Sequence, residues 1–339
     1  FNPDDSRFVS GSFDGTAIVW DLSSVLNPLN YSAEKTPVQQ FMVGESGDRD
    51  RIRSVTFSPD GTRLVTTDAY GKVTIWNADT SEKELELSGH APGTKIDTEW
   101  NGVTDAVFSP DGLLLATSGD DLKINLWDAS NGDLLNTFLG HQTGPDTVPP
   151  FEGVVAVAFN PGGDVLASAG ADGTARLWEV ADGSLILKID AHPGSVVTDV
   201  AFDPNGSYMV TSGFDGTAVV WKVATGERHL DLSGHSGPVM GVEYSPDGQV
   251  IATAGDDGIL KIWNAKSGKP QLNLYGHTKG LLDVQFSTDG KYLATSSQDG
   301  TVRFYVLSLQ ELIELAQSRI TRSLSEYECQ QYLHKQACP

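Results

Sequence analysis

One five-residue phrase recurs along the chain, and this self-similarity limits the fold more than any single motif. Phe202-Asp203-Pro204-Asn205-Gly206 lines up with Tyr244-Ser245-Pro246-Asp247-Gly248 and with Phe286-Ser287-Thr288-Asp289-Gly290. The phrase also stands at 57–61, 108–112 and 159–163, and a degenerate copy, Phe1-Asn2-Pro3-Asp4-Asp5, opens the sequence. After each come a short apolar segment, usually an Asp-Gly turn, and a strand ending in an aromatic residue. Those aromatics are Trp20, Trp76, Trp127, Trp178, Trp221, Trp263 and Tyr305, spaced 56, 51, 51, 43, 42 and 42 residues apart. The chain therefore holds seven copies of one supersecondary unit, none able to bury its own apolar face alone.

Each unit reads as strands. Segments 239–244, 250–254 and 259–263 are short β-branched runs bounded by turn residues. Asp-Gly pairs such as Asp257-Gly258 supply the positive φ that a tight hairpin demands. A fourth segment, 271–274, precedes Gly276-His277. Four short strands at this period suggest a β-propeller blade.

The motifs over residues 1–307 resemble those of the WD40 family. Gly-His occurs at Gly89-His90, Gly140-His141, Gly234-His235 and Gly276-His277, with Ala191-His192 as a variant; Trp-Asp occurs at Trp20-Asp21 and Trp127-Asp128. The resemblance implies an all-β fold, a seven-bladed WD40 β-propeller. It also implies structural tetrads of His, Ser or Thr, Asp and Trp: His90, Thr117, Asp121, Trp127; His141, Ser168, Asp172, Trp178; His192, Thr211, Asp215, Trp221; and His235, Thr253, Asp257, Trp263. In all four, the Asp follows the hydroxyl residue by four positions and the Trp follows the Asp by six. Such a chain of bonds satisfies buried polar groups and orients the Trp. The second copy has Tyr70 where Asp belongs and the seventh has Tyr305 for Trp, so these two blades are expected to be held less tightly.

His, Asp and hydroxyl residues met once would suggest catalytic triads. Repeated once per blade, they read as structure. His229 and His334 fall outside the pattern, and there is no Gly-x-Ser-x-Gly elbow, P-loop or metal-spaced Cys/His cluster. The pairs Asp120-Asp121 and Asp256-Asp257 would attract a cation, but turn and tetrad roles explain them more simply. The expectation is a non-enzyme without catalytic, metal or cofactor-binding residues. With 45 acidic against 23 basic side chains and a net charge of −22, the chain is ill suited to nucleic acid or to anionic membrane surfaces. It suits a protein or peptide with a basic surface. No apolar run approaches the ~18 residues that span a bilayer.

The ends depart from the repeat. Blade one lacks its inner strand and blade seven its outer strand, so the expected clasp is missing, and an unclosed ring would leave two open sheet edges. The chain is expected to continue upstream as a larger polypeptide. From Ser308 the pattern becomes helical: Ser308-x-x-Glu311 is a capping box, and Leu309, Leu312, Ile313, Ala316 and Ile320 follow helical spacing. Residues 308–339 are thus expected to form a short C-terminal α-helical tail, docked on the propeller or, equally, presented to a partner. Ser318-Arg319-Ile320-Thr321-Arg322-Ser323-Leu324, with Glu328-Cys329, Tyr332-Leu333-His334 and Cys338-Pro339, resembles the tail that ends WD40 arrays in bacterial STAND-type signalling proteins. Cys329 and Cys338 lie about 13 Å apart along a continuous helix, so a disulfide requires the chain to turn back; two free thiols are the alternative. A paired Cys329–Cys338 would place the protein outside the cytoplasm, and free thiols leave the cytoplasm the simplest compartment.

The earlier units carry insertions. Connections 44–51, 91–101 and 142–153 fall between consecutive blades and, in family geometry, cluster on one side of the top face. They hold Ile96, Trp100, Pro149, Pro150 and Phe151, apolar groups suited to an interface; Trp100 and Phe151 packing on each other over the channel mouth is the competing reading. A further insertion, 23–37, is expected on the opposite face. The function expected is a non-enzymatic protein-binding platform, the recognition region of a larger bacterial signalling protein, with a stand-alone scaffold subunit of a stable assembly as the alternative.

Overall fold

Short β-branched runs joined by Asp-Gly turns favour an up-and-down meander, because each turn returns the chain beside the strand it has left. In the computed structural model, which describes residues 1–22, 39–42, 51–90, 102–144 and 152–307, they form seven antiparallel sheets whose strands lie in chain order. The turn glycines take the left-handed conformation the hairpins need, with φ of 84° at Gly216 and 77° at Gly258.

Five sheets have four strands, and their inner strands are Ile52–Phe57, Val103–Phe108, Val154–Phe159, Val197–Phe202 and Val239–Tyr244. Their outer strands are Lys83–Ser88, Leu134–Leu139, Leu185–Asp190, Arg228–Ser233 and Pro270–Leu274. Three strands of the first sheet are described, Arg7–Gly11, Thr16–Asp21 and Gln39–Met42, and three of the seventh, Leu281–Phe286, Tyr292–Ser297 and Val302–Val306. Each four-stranded sheet has a register shift where its third strand reaches the Trp, as at Leu126/Trp127.

The inner strands pack side by side around a common axis, which makes the molecule a β-propeller. The core lies between sheets. Each of the six consecutive sheet pairs shares an apolar cluster; Phe138 and Leu126 of the third sheet, for example, meet Val157, Leu166 and Trp178 of the fourth. Trp76, Trp127, Trp178, Trp221 and Trp263 each pack against the preceding sheet.

The seventh sheet returns against the first, and side chains make that seam. Phe1, Phe8 and Phe304 meet edge to face, with centroids 5.1–6.0 Å apart. The Asp5 carboxylate accepts the backbone N–H groups of Thr288 and Asp289, each at 2.9 Å. The sequence predicts that the strand clasp between the last and first blades is missing at this point. The circuit instead closes through aromatic and carboxylate contacts, with no hydrogen-bonded strand shared between the two sheets among the described residues.

The tail over 308–339, with its expected helices and Cys329 and Cys338, lies outside the described residues. Among the described residues no helix is long and apolar enough to cross a membrane.

Candidate functional site

The repeated His, hydroxyl, Asp and Trp residues converge between neighbouring sheets. In the third sheet Thr117 sits on the second strand, Trp127 on the third and Asp121 in the turn between them. His90 arrives from the connection that follows the outer strand of the second sheet, so the set ties two sheets together. His90 Nδ1 lies 2.9 Å from Asp121, its Nε2 lies 2.8 Å from Thr117 Oγ1, and the Trp127 indole N–H donates to the same hydroxyl at 2.9 Å. The geometry repeats closely. His141 lies 3.0 Å from Asp172 and 2.7 Å from Ser168, and Trp178 donates to Ser168 at 2.9 Å. His192 lies 3.0 Å from both Asp215 and Thr211, and Trp221 donates to Thr211 at 3.0 Å. His235 lies 3.0 Å from Asp257 and 2.8 Å from Thr253, and Trp263 donates to Thr253 at 2.8 Å.

The proton count follows from the donors. An indole can only donate, so the hydroxyl accepts from Trp and gives its own proton to His Nε2; the imidazole proton then sits on Nδ1, facing the Asp carboxylate. The histidine is neutral in this arrangement, and burial accordingly lowers the pKa of His141 and His235. Burial alone would raise the Asp215 carboxyl, but hydrogen bonds from His192 and Thr217 overrule it and hold it at about 2. The bonds copy a Ser–His–Asp triad, but Ser168 and Thr253 are 0 % exposed, so no substrate reaches the hydroxyl.

Glycine makes room for the imidazole. Two residues after the hydroxyl stands Gly170 in the fourth sheet, where an added Cβ would lie 2.2 Å from His141 Nδ1. The two blades expected to be looser are completed in other ways. In the seventh sheet His277 lies 3.0 Å from Asp299 and 2.9 Å from Thr295, so the set lacks only the indole. In the second sheet Trp76 still donates to Thr66 at 2.9 Å, and Asp68 caps the turn by accepting from Tyr70 N at 2.8 Å and Lys72 N at 3.0 Å. The acidic pairs also divide their work: Asp121 and Asp257 belong to tetrads, Asp120 accepts from Gly102 N and lies 3.8 Å from buried Arg53, and Asp256 accepts from Gln298.

The axial channel is lined with carboxylates that sequence reasoning missed. Asp105, Asp199 and Asp283 each occupy the third position of an inner strand, and Glu243 the fifth. Three of the four reach across to the next inner strand. Asp105 accepts from Val157 N at 3.1 Å and from Ser54 Oγ at 2.8 Å, Asp199 from Val242 N at 2.9 Å, and Glu243 from Phe286 N. Neighbouring inner strands have no backbone ladder between them, so these carboxylates act as stitches. Burial raises all four pKa values, and at Asp199, Asp283 and Glu243 a neighbouring carboxylate adds to it: Asp283 is pushed to about 6 and Glu243 to about 8. Asp283 is surrounded by protein yet remains exposed to solvent. The signal was present in the acid within Val-Thr-Asp-Ala-Val-Phe (103–108) and Val-Thr-Asp-Val-Ala-Phe (197–202), but in a lone strand it reads as a solvent-facing residue.

Ile96, Trp100, Pro149, Pro150 and Phe151 lie outside the described residues. Among the described residues no group of three or more His, Cys, Asp or Glu side chains is arranged to hold a metal ion.

The model of the family described as "WD domain, G-beta repeat" matches residues 1–21, 36–77, 83–128, 132–179, 183–222, 226–264 and 268–305. Apoptotic protease-activating factor 1 of Rattus norvegicus is 29 % identical over 53 % of this chain and 12 % of its own length. Periodic tryptophan protein 2 of Arabidopsis thaliana is 31 % identical over 59 % of this chain and 19 % of its own. COMPASS component SWD3 of Saccharomyces cerevisiae is 35 % identical over 28 % of this chain and 27 % of its own. The chain thus spans between 12 % and 27 % of the length of these curated relatives, all three eukaryotic.

Proposed function

The chain belongs to the WD40 family, and on that premise we propose that it is a non-enzymatic protein-binding platform built on seven blades. One observation carries the reading. Every Ser- or Thr–His–Asp set among the described residues is spent on joining sheets, with its hydroxyl buried, so the repeated chemistry goes into rigidity rather than reaction. A rigid ring with loops on its faces is suited to presenting contact residues.

The binding surface in this reading is the top face, through Ile96, Trp100, Pro149, Pro150 and Phe151. The partner is a protein or peptide with a basic surface, matched to the chain's net charge of −22. The context proposed is the recognition region of a larger signalling protein of bacterial type, which rests on the likeness of the tail. A second reading, a scaffold subunit of a stable assembly, draws support from the name of one relative, COMPASS component SWD3. Recovery of the native protein as a defined complex would favour it.

The test is to screen the folded chain against an array of Lys- and Arg-rich peptides, then repeat with Trp100→Ser and Phe151→Ser while recording the melting temperature. Binding lost at unchanged stability supports the top-face surface. Stability lost with binding intact assigns both side chains to packing.

A further inference from the structure

The outer rim of the ring is uneven in a way the fold does not require. The outer strand Lys83–Ser88 carries Lys83, Glu84 and Glu86, and Arg228–Ser233 carries Arg228 and Asp231. Charge on an unpaired edge is how a sheet avoids recruiting another strand. Leu134–Leu139, the outer strand of the third sheet, has no charged residue. It exposes Leu134 by 49 %, Leu135 by 53 % and Leu139 by 66 %. Leu134 pairs with Trp127 at the register shift, and from Asn136 to Leu139 the ladder is regular, with its far edge unpaired among the described residues. The packing demand on this strand is met by Phe138, which is buried and stacked on Trp178 with centroids 5.8 Å apart. The three leucines are not part of that core cluster.

The charge around this edge is acidic on balance. Lys123, Arg176 and Lys188 are the only cations among the described residues of the third and fourth sheets. Each already faces a carboxylate: Asp121 at 3.6 Å, Asp172 at 3.3 Å and Asp190 at 3.4 Å respectively. Asp133 directly precedes the strand, and Asp182 lies on the turn whose Gly183 packs on Asn136 and Phe138. The carboxylates on this part of the rim thus outnumber the cations, and no cation there lacks a partner.

We propose that the edge of Leu134–Leu139 is a docking site for an extended segment of a partner protein, apolar at alternate positions and basic at its ends, which joins the third sheet as a fifth strand. Main-chain bonds to the free edge supply affinity, and the exposed leucines with the neighbouring carboxylates select the side chains. A second copy of this chain is a poor occupant, because it would bring the same acidic rim against itself. The site lies on the perimeter, so it stands apart from the top-face surface and does not depend on it.

The probe is a synthetic peptide of alternating Val and Thr with Lys pairs at both ends, titrated against the whole chain by calorimetry and by amide hydrogen exchange. Three results are expected. The peptide binds and protects amides within Leu134–Leu139; a version with Pro at its centre does not bind, because Pro cannot donate to a ladder. Leu135→Lys and Leu139→Lys each weaken binding about tenfold or more at unchanged melting temperature, the loss expected when one leucine is removed from an apolar contact. Replacing the terminal Lys by Glu abolishes it. Several outcomes overturn the proposal: no binding of the Lys-ended peptide, equal binding of the Glu-ended one, or binding unaffected by Leu135→Lys. Self-association of the chain that Leu135→Lys removes would overturn it in favour of a second copy.

Discussion

Replacing Thr253 by Val separates the polar role of a tetrad from its shape, because the two side chains are nearly isosteric. Thr253 Oγ1 accepts the Trp263 indole N–H at 2.8 Å and lies 2.8 Å from His235 Nε2, and the residue is fully buried. Removing the hydroxyl leaves two buried groups without a partner, each worth about 1–3 kcal/mol. The added methyl returns on the order of 1 kcal/mol of apolar burial. The expected net loss is roughly 1–5 kcal/mol, centred near 3, which corresponds to a fall in Tm of about 6–12 °C at 2–4 °C per kcal/mol. Thr253→Ser keeps the hydroxyl and should lose only about 1 kcal/mol, the value of one buried methyl. The assay is urea unfolding of wild type and both variants by tryptophan fluorescence, with amide exchange to locate the loosening in the fifth and sixth sheets. If Val and Ser behave alike, the bonds through Thr253 carry no net stability and the argument from buried polar groups fails for this ring.

The channel carboxylates predict a pH dependence of the opposite sign to the usual acid effect. Glu243 and Asp283 have native pKa values raised to about 8 and about 6, so the native state binds extra protons above the ordinary carboxylate range, and stability falls as pH rises through that window. Asp215, held at about 2, contributes stability that is present above the unfolded carboxylate value and lost on acidification towards pH 2. Melting temperature should therefore be higher near pH 5 than at pH 8, and Glu243→Gln should flatten that slope; a wild-type Tm independent of pH between 5 and 8 would refute the assignment. At the seam, Phe8→Ala should cost about 3–5 kcal/mol, because the ring is buried against Phe1 and Phe304. Its amide exchange should rise first in the first and seventh sheets, and a uniform rise around the ring would contradict a local seam.

The tetrads could be read from the sequence because their parts recur at fixed spacing: the hydroxyl, Asp and Trp lie within eleven residues, and the His stands 18 to 27 residues before the hydroxyl. The channel could not be read so directly. Asp105, Asp199 and Asp283 sit on alternating strands that look amphipathic, and only closing the ring decides that the acid side faces inward. Asp68 went unnoticed because the pattern asks for acid at position 70, while the chain supplies it two residues earlier and still reaches the Tyr70 and Lys72 amides. The seam was missed for a related reason. Phe8 and Phe304 match no motif, Phe1 reads only as the start of a degenerate repeat copy, and their proximity follows from geometry that joins residues almost 300 positions apart. The exposed leucines of Leu134–Leu139 look in sequence like any other strand, and only the sheet order places them at an edge.

A closed circuit tolerates damage in a way that a linear stack of the same sheets does not. In a row, the failure of any one interface divides the array into two pieces. With Phe1, Phe8 and Phe304 joining the last sheet to the first, one interface can open while every sheet still keeps a packed neighbour, and division requires a second break. The probability of coming apart then scales as the product of two rare openings instead of their sum. A modest aromatic contact between the first and seventh sheets therefore protects interfaces on the far side of the ring that it never touches.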